Sequence, residues 1–160
     1  MLFRSVDAET GRVGLVKYVA VDDCGNVINP ILLEGQIHGG VAQGVGEALF
    51  EEVRYTPEGQ PLTTSFLNYL VPSAAELPPI QVARTTTPTM MNPLGAKGMA
   101  EAGTIAAPPA VMNAVVDALA PSGVEDVDIP ATPERVWAAL RRAGNAAASG
   151  ETRAWKGQEE

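Results

Sequence analysis

The segment from Leu33 to Glu52 constrains the fold most, because it combines a helical pattern of apolar residues with an unusual density of glycine. The apolar residues recur at helical spacing and predict an amphipathic helix with one buried face. Five glycines lie within twelve residues of this segment, and each costs a helix interior about 1 kcal/mol relative to alanine. Another element or a ligand must therefore approach the helix backbone closely, and the segment alone leaves both possibilities open. The apolar residues are Ile37, Val41, Val45, Ala48 and Leu49, and the glycines are Gly35, Gly39, Gly40, Gly44 and Gly46.

Three other segments of the chain favour β-strands. Leu2 to Val6 and Val13 to Val21 flank a glycine-containing turn of hairpin length, which predicts a β-hairpin. Ile80 to Thr87 is rich in β-branched residues and predicts a further strand. Between the hairpin and the glycine-rich helix, Val27 to Pro30 is expected to be extended, because proline disfavours helix in the residue before it.

Two more helices are predicted in the C-terminal half of the chain. Ala110 to Ala120 is apolar nearly all round, so this helix should be buried. Pro108 and Pro109 are expected to occupy its first turn, where proline is tolerated. Thr132 predicts the N-cap of a short last helix. The inner face of that last helix is predicted to carry Val136, Trp137 and Leu140.

Together these elements predict an α+β fold. The β-hairpin and the further strand would pack with the glycine-rich helix, the buried proline-started helix and the short C-terminal helix. A chain of 160 residues, 46% of them apolar, is large enough for one core. We expect residues 1–142 to form the folded portion and residues 143–160 to be a disordered tail.

The charge and the hydrophobic pattern exclude several classes of partner. Nineteen acidic and eleven basic residues give a formal net charge of -8, which repels the phosphates of nucleic acids. The N-terminus lacks the apolar core of a signal peptide, and no apolar stretch reaches the ~18 residues that a membrane span requires. The single cysteine fits a reducing compartment. We therefore expect a soluble cytoplasmic protein without a membrane span.

Cysteine and histidine are too scarce for a metal site or a catalytic triad. Cys24 has no partner for a disulfide or a zinc cluster, and the carboxylates of Asp22 and Asp23 beside it would disfavour a thiolate. His38 is the only histidine, so a structural role is expected for it.

The loop from Gly95 to Gly103 is the main candidate for chemistry. It holds three glycines, Lys97 and Glu101 before a predicted helix, which is compatible with a nest of backbone N–H groups that accepts an anion. Taken by itself, Glu101 is better explained as an ordinary carboxylate at a helix start, stabilised by the helix dipole. Neither the dinucleotide-binding fingerprint nor the phosphate-binding loop of nucleotide-binding proteins is present.

Four segments, taken in order and with their spacing, resemble the molybdenum-binding large subunit of the xanthine dehydrogenase, aldehyde oxidoreductase and aerobic carbon monoxide dehydrogenase family. The resemblance extends from about Val6 to Leu140 and points to the C-terminal part of the molybdopterin cofactor-binding domain. The segments are YVAVDDCG at 18–25, INP at 28–30, EGQIHGGVAQG at 34–44 and NPLGAKG at 92–98, and the last continues through EAGTI at 101–105.

The resemblance implies a component of a molybdenum hydroxylase, which oxidises a small substrate with oxygen derived from water. Glu101 matches the family's glutamate that acts as a base close to the metal. Gln36 matches a glutamine that hydrogen-bonds the pterin, and Lys97, Gly98 and Ala100 match the loop that passes beside the metal ligands. Because the pterin holds the molybdenum, no protein ligand to the metal is expected.

The resemblance also implies the other parts of such an enzyme. The cofactor would be molybdenum-molybdopterin in its cytosine dinucleotide form, with FAD and a 2Fe-2S cluster on partner subunits. The partners would be the remaining part of the molybdenum subunit, an FAD-binding subunit, an iron-sulfur subunit and a small-molecule substrate. The chain alone is expected to be inactive.

Two departures from the family pattern bear on this interpretation. Ala100 stands where the family usually has glycine, and its methyl group would cost of order 1 kcal/mol if the position needs a positive φ. The family's subunit is also several times longer than this chain. The alternative is therefore a truncated, non-catalytic remnant that acts as an interaction module, and a third possibility is a small nucleotide-binding protein.

Overall fold

The computed structural model describes residues 2–149 of the chain. Three strands, β1 (Leu2–Val6), β2 (Val13–Asp23) and β3 (Ile80–Thr85), form one sheet in the order β1-β2-β3. β1 and β2 pair antiparallel as a hairpin, whereas β3 runs parallel to β2. The predicted hairpin and further strand are confirmed, although β3 ends at Thr85 and not at Thr87.

The glycine-rich helix α1 spans Pro30–Leu49. It begins earlier than the predicted Leu33, because Asn29 is its N-cap and accepts hydrogen bonds from the backbone N–H groups of Ile31 and Leu32 at 3.1 and 3.2 Å. Pro30 is the first helical residue, where the N–H that proline lacks would have no helical partner. Pro30 therefore belongs to the helix, and the prediction that it is extended was wrong.

Helix α2 spans Ala102–Leu119, so Pro108 and Pro109 lie inside it and not in its first turn. The sequence prediction failed here because packing against α1 offsets the backbone hydrogen bonds that the prolines cannot donate. The segment Ala110 to Ala120 was predicted to be buried, but only one of its faces is buried. The buried residues of α2 are Gly103, Ala107, Pro108, Val111, Val115 and Leu119.

Residues Ala102–Ser122 are long and apolar enough to cross a membrane, with a mean hydropathy of 1.2 over 18 residues, so the expectation that no apolar stretch reaches this length was wrong. One third (33%) of the 18-residue apolar part is buried inside the protein, and the helix contacts α1 and the sheet. Core helices of soluble proteins meet the same criteria of length and composition, so this single helix is weak evidence for a membrane span.

The contact between α1 and α2 accounts for two of the glycines in α1. A Cβ atom at Gly44 would lie 2.6 Å from the Cβ of Ala107, and one at Gly40 would lie 3.1 Å from the Cα of Gly103. Glycine is therefore required where the two helix backbones meet. The side chains buried most completely are Ile37, Val41, Val45, Val111, Val115 and Val136.

The last helix, α3, spans Pro133–Ser149. Thr132 accepts a hydrogen bond from the N–H of Arg135 at 3.4 Å, as predicted for an N-cap. Trp137 is 40% exposed, so its predicted place on the inner face was wrong; the guanidinium of Arg141 lies over its ring, 5.0 Å from the ring centre. The predicted tail was wrong over residues 143–149, which are helical, and residues 150–160 lie outside the described residues.

Candidate functional site

The predicted site residues lie at the junction of α1 and the loop between β3 and α2. The side-chain amide nitrogen of Gln36 donates a hydrogen bond to the carbonyl oxygen of Ala100 at 2.9 Å. Glu101 is the next residue and directly precedes the first turn of α2. Gln36 and Glu101, which are far apart in sequence, are thus brought to the same place.

The Glu101 side chain is exposed. Within residues 2–149 its carboxylate accepts no hydrogen bond and forms no ion pair, and it does not cap α2. Both carboxylate oxygens of Glu101 are therefore available to a group outside the described residues.

Lys97, four residues before Glu101 in this loop, is bound to the turn that follows β2. Its backbone N–H donates to the carbonyl oxygen of Cys24 at 2.8 Å, and its ammonium lies 3.3 Å from Oδ1 of Asp23. The same carboxylate oxygen accepts the N–H groups of Gly25 and Thr87 at 2.8 and 3.0 Å. Hydrogen bonds, first from Thr87 and then from Gly25, hold the pKa of Asp23 well below its usual range.

Asp23 was not predicted as a site residue. Part of its role could have been found in the sequence, because an aspartate two residues before glycine commonly accepts that residue's N–H in a turn. No local signal indicates its contacts with Thr87 and Lys97, since these depend on the tertiary fold.

Two glycines with positive φ allow this turn and the loop to touch. Gly25 and Gly95 have φ of 65° and 64°, and Gly25 forms an isolated antiparallel bridge with Ala96. A Cβ atom at Gly25 would collide with the carbonyl oxygen of Gly95. Asn26 completes the contact by donating its side-chain amide to the carbonyl oxygen of Leu94 at 2.9 Å.

Ala100 does not occupy a conformation that requires glycine. Every residue with positive φ in the described part of the chain is a glycine, so the φ of Ala100 is not positive. Ala100 is also exposed. The concern that its methyl group strains the backbone is therefore removed. Gly98 also lies in open space, since a Cβ there would meet no atom within 4 Å.

Four of the five glycines of α1 divide between two faces of the helix. Gly40 and Gly44 pack against α2, as described above. At Gly35 and Gly39 a Cβ would meet nothing within 4 Å among the described residues. These two glycines lie next to Gln36 on an exposed face. That bare face can accept a large group close to the backbone.

A cavity of about 260 Å³ adjoins the loop through Met99. Its wall includes Asp22, whose Oδ2 atom is buried and has no hydrogen-bond partner within residues 2–149. Nε2 of His38 is likewise buried without a partner there, so His38 joins no catalytic pair in the described chain. No group of three His, Cys, Asp or Glu residues in that range is arranged to hold a metal ion. The other lining residues are Cys24, Pro30, Leu33, Glu34, Ile37, Val82, Ala83 and Arg84.

Comparison with known proteins places this geometry in context. Residues 5–78 match the molybdopterin cofactor-binding domain family. The chain is 48% identical to the nicotine 6-hydroxylase large subunit of Paenarthrobacter nicotinovorans over 84% of its length, and covers 16% of that protein. It is 39% identical to the carbon monoxide dehydrogenase large chain of Hydrogenophaga pseudoflava over 85% of its length, and covers 17% of that protein.

Solved structures agree with the sequence comparison. The Cu,Mo carbon monoxide dehydrogenase superposes with a TM-score of 0.86 at 34% identity, over 89% of this chain and 18% of that one. Quinoline 2-oxidoreductase from Pseudomonas putida 86 superposes with a TM-score of 0.83 at 43% identity, over 88% of this chain and 18% of that one. The chain therefore spans about a sixth of the length of these relatives.

Proposed function

Because this chain belongs to the family of molybdenum-binding subunits that includes the large chains of nicotine 6-hydroxylase and carbon monoxide dehydrogenase, we propose that it supplies one side of a molybdenum-pterin site. The observation that carries this proposal is the placement of Glu101. Its carboxylate is exposed and free of partners among the described residues, one residue after the carbonyl that Gln36 holds. That arrangement is what a general base needs.

The described residues fit a large cofactor. Gly35 and Gly39 leave the helix backbone open to close approach beside Gln36. We assign Gln36, Gly98, Ala100 and the backbone of Lys97 to contact with the pterin. The side chain of Lys97 is engaged by Asp23.

The bound cofactor would accept the two electrons that leave the substrate. This chain would contribute the group that accepts the proton. A carboxylate oxygen of Glu101 would take the proton from the water-derived oxygen that is transferred to the substrate. Gln36 would hold the carbonyl of Ala100 in place and so limit the positions that the Glu101 side chain can reach.

The site is completed by the remainder of the molybdenum subunit, on the same or another polypeptide. The chain covers only 16–18% of the length of the relatives compared above. Two apolar segments near the site, residues 28–32 and 90–94, are exposed. Asn26, just before the first segment, donates hydrogen bonds to Leu94 and Gly95, at the end of the second. A contiguous exposed apolar surface usually marks an interface. Its residues are Ile28, Ile31, Leu32, Met90, Met91 and Leu94, which are 63–98% exposed.

The assembled enzyme would include an FAD-binding subunit and an iron-sulfur subunit with a 2Fe-2S cluster, and would work in the cytoplasm. Its cofactor would be the cytosine dinucleotide form of molybdenum-molybdopterin. These assignments follow from membership of the family. The relatives compared above include a large subunit and a large chain, and these names imply partner subunits. The substrate is a small molecule oxidised with water-derived oxygen.

The proposal is tested on the complex that forms around this chain in its native host. A tagged chain is purified with its partners, and molybdenum, iron and flavin are measured. Turnover is followed with a dye as electron acceptor and with nicotine, quinoline, hypoxanthine or carbon monoxide as trial substrates. We expect stoichiometric molybdenum in the complex.

Glu101→Gln should retain molybdenum yet lower turnover by about 10²–10⁴-fold. Glu134→Gln is the matched control, because Glu134 is also exposed and lies in the first turn of a helix, α3. It should leave turnover unchanged. A complex without molybdenum would instead support the truncated, non-catalytic remnant, and normal turnover in Glu101→Gln would refute the assignment of the base.

A further inference from the structure

We propose that Asp23 is a positioning residue for Glu101, which it controls through its ion pair with Lys97. This inference rests on the proposed role of Glu101 as the base. Asp23 lies at the end of β2, outside the loop that carries Glu101. It would touch neither the cofactor nor the substrate and would act only through the loop.

The loop between β3 and α2 has little packing to hold it in place. Its residues are predominantly exposed, and Gly98 has no neighbour within 4 Å of a Cβ position. A segment with so few buried apolar contacts is ordered mainly by its hydrogen bonds and ion pairs. The polar contacts therefore decide where Glu101 lies.

A single oxygen atom of Asp23 joins both ends of this loop. Oδ1 accepts the N–H of Thr87, just after β3, and contacts the ammonium of Lys97 near the end of the loop. The N–H of Gly25 anchors the same oxygen to the turn after β2. Asp23 thus closes the chain between Thr87 and Lys97 into a ring, and the Gln36 hydrogen bond to Ala100 holds the residues that follow.

The ion pair is partly shielded from solvent. The side chains of Asp23 and Lys97 are 24% and 36% exposed. The charged side chains that line the adjoining cavity are Asp22, Glu34 and Arg84, and none of them forms an ion pair with Lys97. Asp23 is therefore the one carboxylate in the described chain that fixes the Lys97 side chain.

Asp23→Asn tests the ion pair separately from the hydrogen bonds. Asparagine keeps the shape of aspartate and an oxygen acceptor for the N–H groups of Gly25 and Thr87, but it lacks the charge. Lys97→Met removes the other partner, and Lys97→Arg preserves it. Asp117→Asn is the control, since Asp117 forms the same kind of pair with Arg4 on a distant part of α2. All variants are made in the full chain.

The first measurement is amide hydrogen exchange on the full chain alone. We expect Asp23→Asn and Lys97→Met to speed exchange in residues 87–101, including the Lys97 N–H that is bonded to Cys24. Asp117→Asn should not change exchange in that range. Unchanged exchange in both loop variants would overturn the inference.

The second measurement is kcat in the assembled complex, with the assay described above. Because a 1 Å misplacement of a catalytic group can cost on the order of 100-fold, we expect about a tenfold loss in Asp23→Asn and in Lys97→Met, with molybdenum content retained. The double variant should be no worse than either single variant, and Lys97→Arg should restore most of the turnover.

The decisive comparison adds Asp23→Asn to Glu101→Gln. If Asp23 acts through Glu101, the added change lowers the residual turnover no further. A further tenfold loss, or loss of molybdenum, would mean that Asp23 supports the site in another way and would refute the inference. Normal turnover in Glu101→Gln alone would instead refute the proposed base, so the two failures are distinguishable.

Discussion

The side-chain amide of Gln36 on helix α1 donates to the carbonyl oxygen of Ala100, 2.9 Å away, and Ala100 is the residue before Glu101. This bond links the glycine-rich helix directly to the loop that carries the proposed base. Gln36 therefore has two roles to test, as a contact to the pterin and as a holder of the loop.

Gln36→Ala should weaken cofactor retention in the assembled complex. The lost contact is expected to lower the affinity for the cofactor by about tenfold, as for other residues that orient a metal centre from outside its ligand shell. Because Gln36 is exposed, the free energy of unfolding of the chain should change by less than about 1 kcal/mol. Molybdenum content after dialysis tests the change in cofactor affinity, and urea unfolding tests the change in the free energy of unfolding.

Gln43→Ala is the control for that variant. Gln43 is exposed on the same side of α1 and makes no hydrogen bond through its side chain in the described structure. It should retain molybdenum as the unaltered chain does. Equal molybdenum loss in the two variants would contradict a specific role for Gln36.

The glycines of α1 should respond to alanine in opposite ways. Gly39→Ala should stabilise the chain by about 0.4–1 kcal/mol, because the φ of Gly39 is not positive and the added Cβ meets nothing. Gly44→Ala should destabilise it by about 1–3 kcal/mol, because its Cβ would lie 2.6 Å from that of Ala107. Thermal unfolding measures both changes.

The same variants locate the cofactor in the assembled complex. If the pterin lies against the open face of α1, Gly39→Ala should lower molybdenum content although it stabilises the chain. Full molybdenum loading in Gly39→Ala would place the cofactor elsewhere.

Ala100→Gly should lower stability without raising turnover. The φ of Ala100 is not positive, so glycine brings no relief and adds conformational entropy to the unfolded chain, worth about 0.4–1 kcal/mol. Gly98→Ala is the converse change in open space and should stabilise the chain by a similar amount. A rise in both melting temperature and turnover in Ala100→Gly would show that the loop is strained at this residue.

The chain expressed alone should bind no molybdenum cofactor and show no dehydrogenase activity. It presents the open face of α1 and Glu101 but only about a sixth of the length of its relatives. Elemental analysis of the purified chain, incubated with extracted cofactor, provides the test. Stoichiometric molybdenum in the lone chain would contradict a site shared with other segments.

Asp23 should stabilise the fold above the pH range in which carboxyl groups normally titrate. Its pKa in the folded chain is lowered by hydrogen bonds from Thr87 and Gly25, so its contribution is complete above the unfolded pKa of about 3.9. The contribution is lost as pH falls through the lower, folded pKa. Urea unfolding of the unaltered chain and of Asp23→Asn should therefore differ most at neutral pH, with the difference shrinking in acid. A difference that grows in acid would contradict this.

Local patterns in the sequence were sufficient for the elements that carry the site. The period of the apolar residues predicted helix α1, and the run of β-branched residues predicted the strands, because both patterns reflect contacts within one element. The family resemblance, which the comparisons confirm, predicted Gln36 and Glu101 as residues of one site, and that assignment stays a proposal.

Tertiary structure decided the remaining questions, because each depends on residues that are distant in sequence. Only the packing of α1 against α2 shows that Gly40 and Gly44 serve helix contact while Gly35 and Gly39 face open space. The same packing lets α2 continue through its prolines, against the local preference that predicted a later start.

The position of the proposed base is likewise a tertiary property. The composition of the turn after β2 indicates a bend, but Asp23 meets Thr87 and Lys97 only because β3 returns parallel to β2 and brings the loop to the end of that strand. The sequence by itself determined which residues are available for chemistry. The fold determined which of them meet, since a hydrogen bond or an ion pair forms only over a few ångströms and sequence separation does not encode that distance.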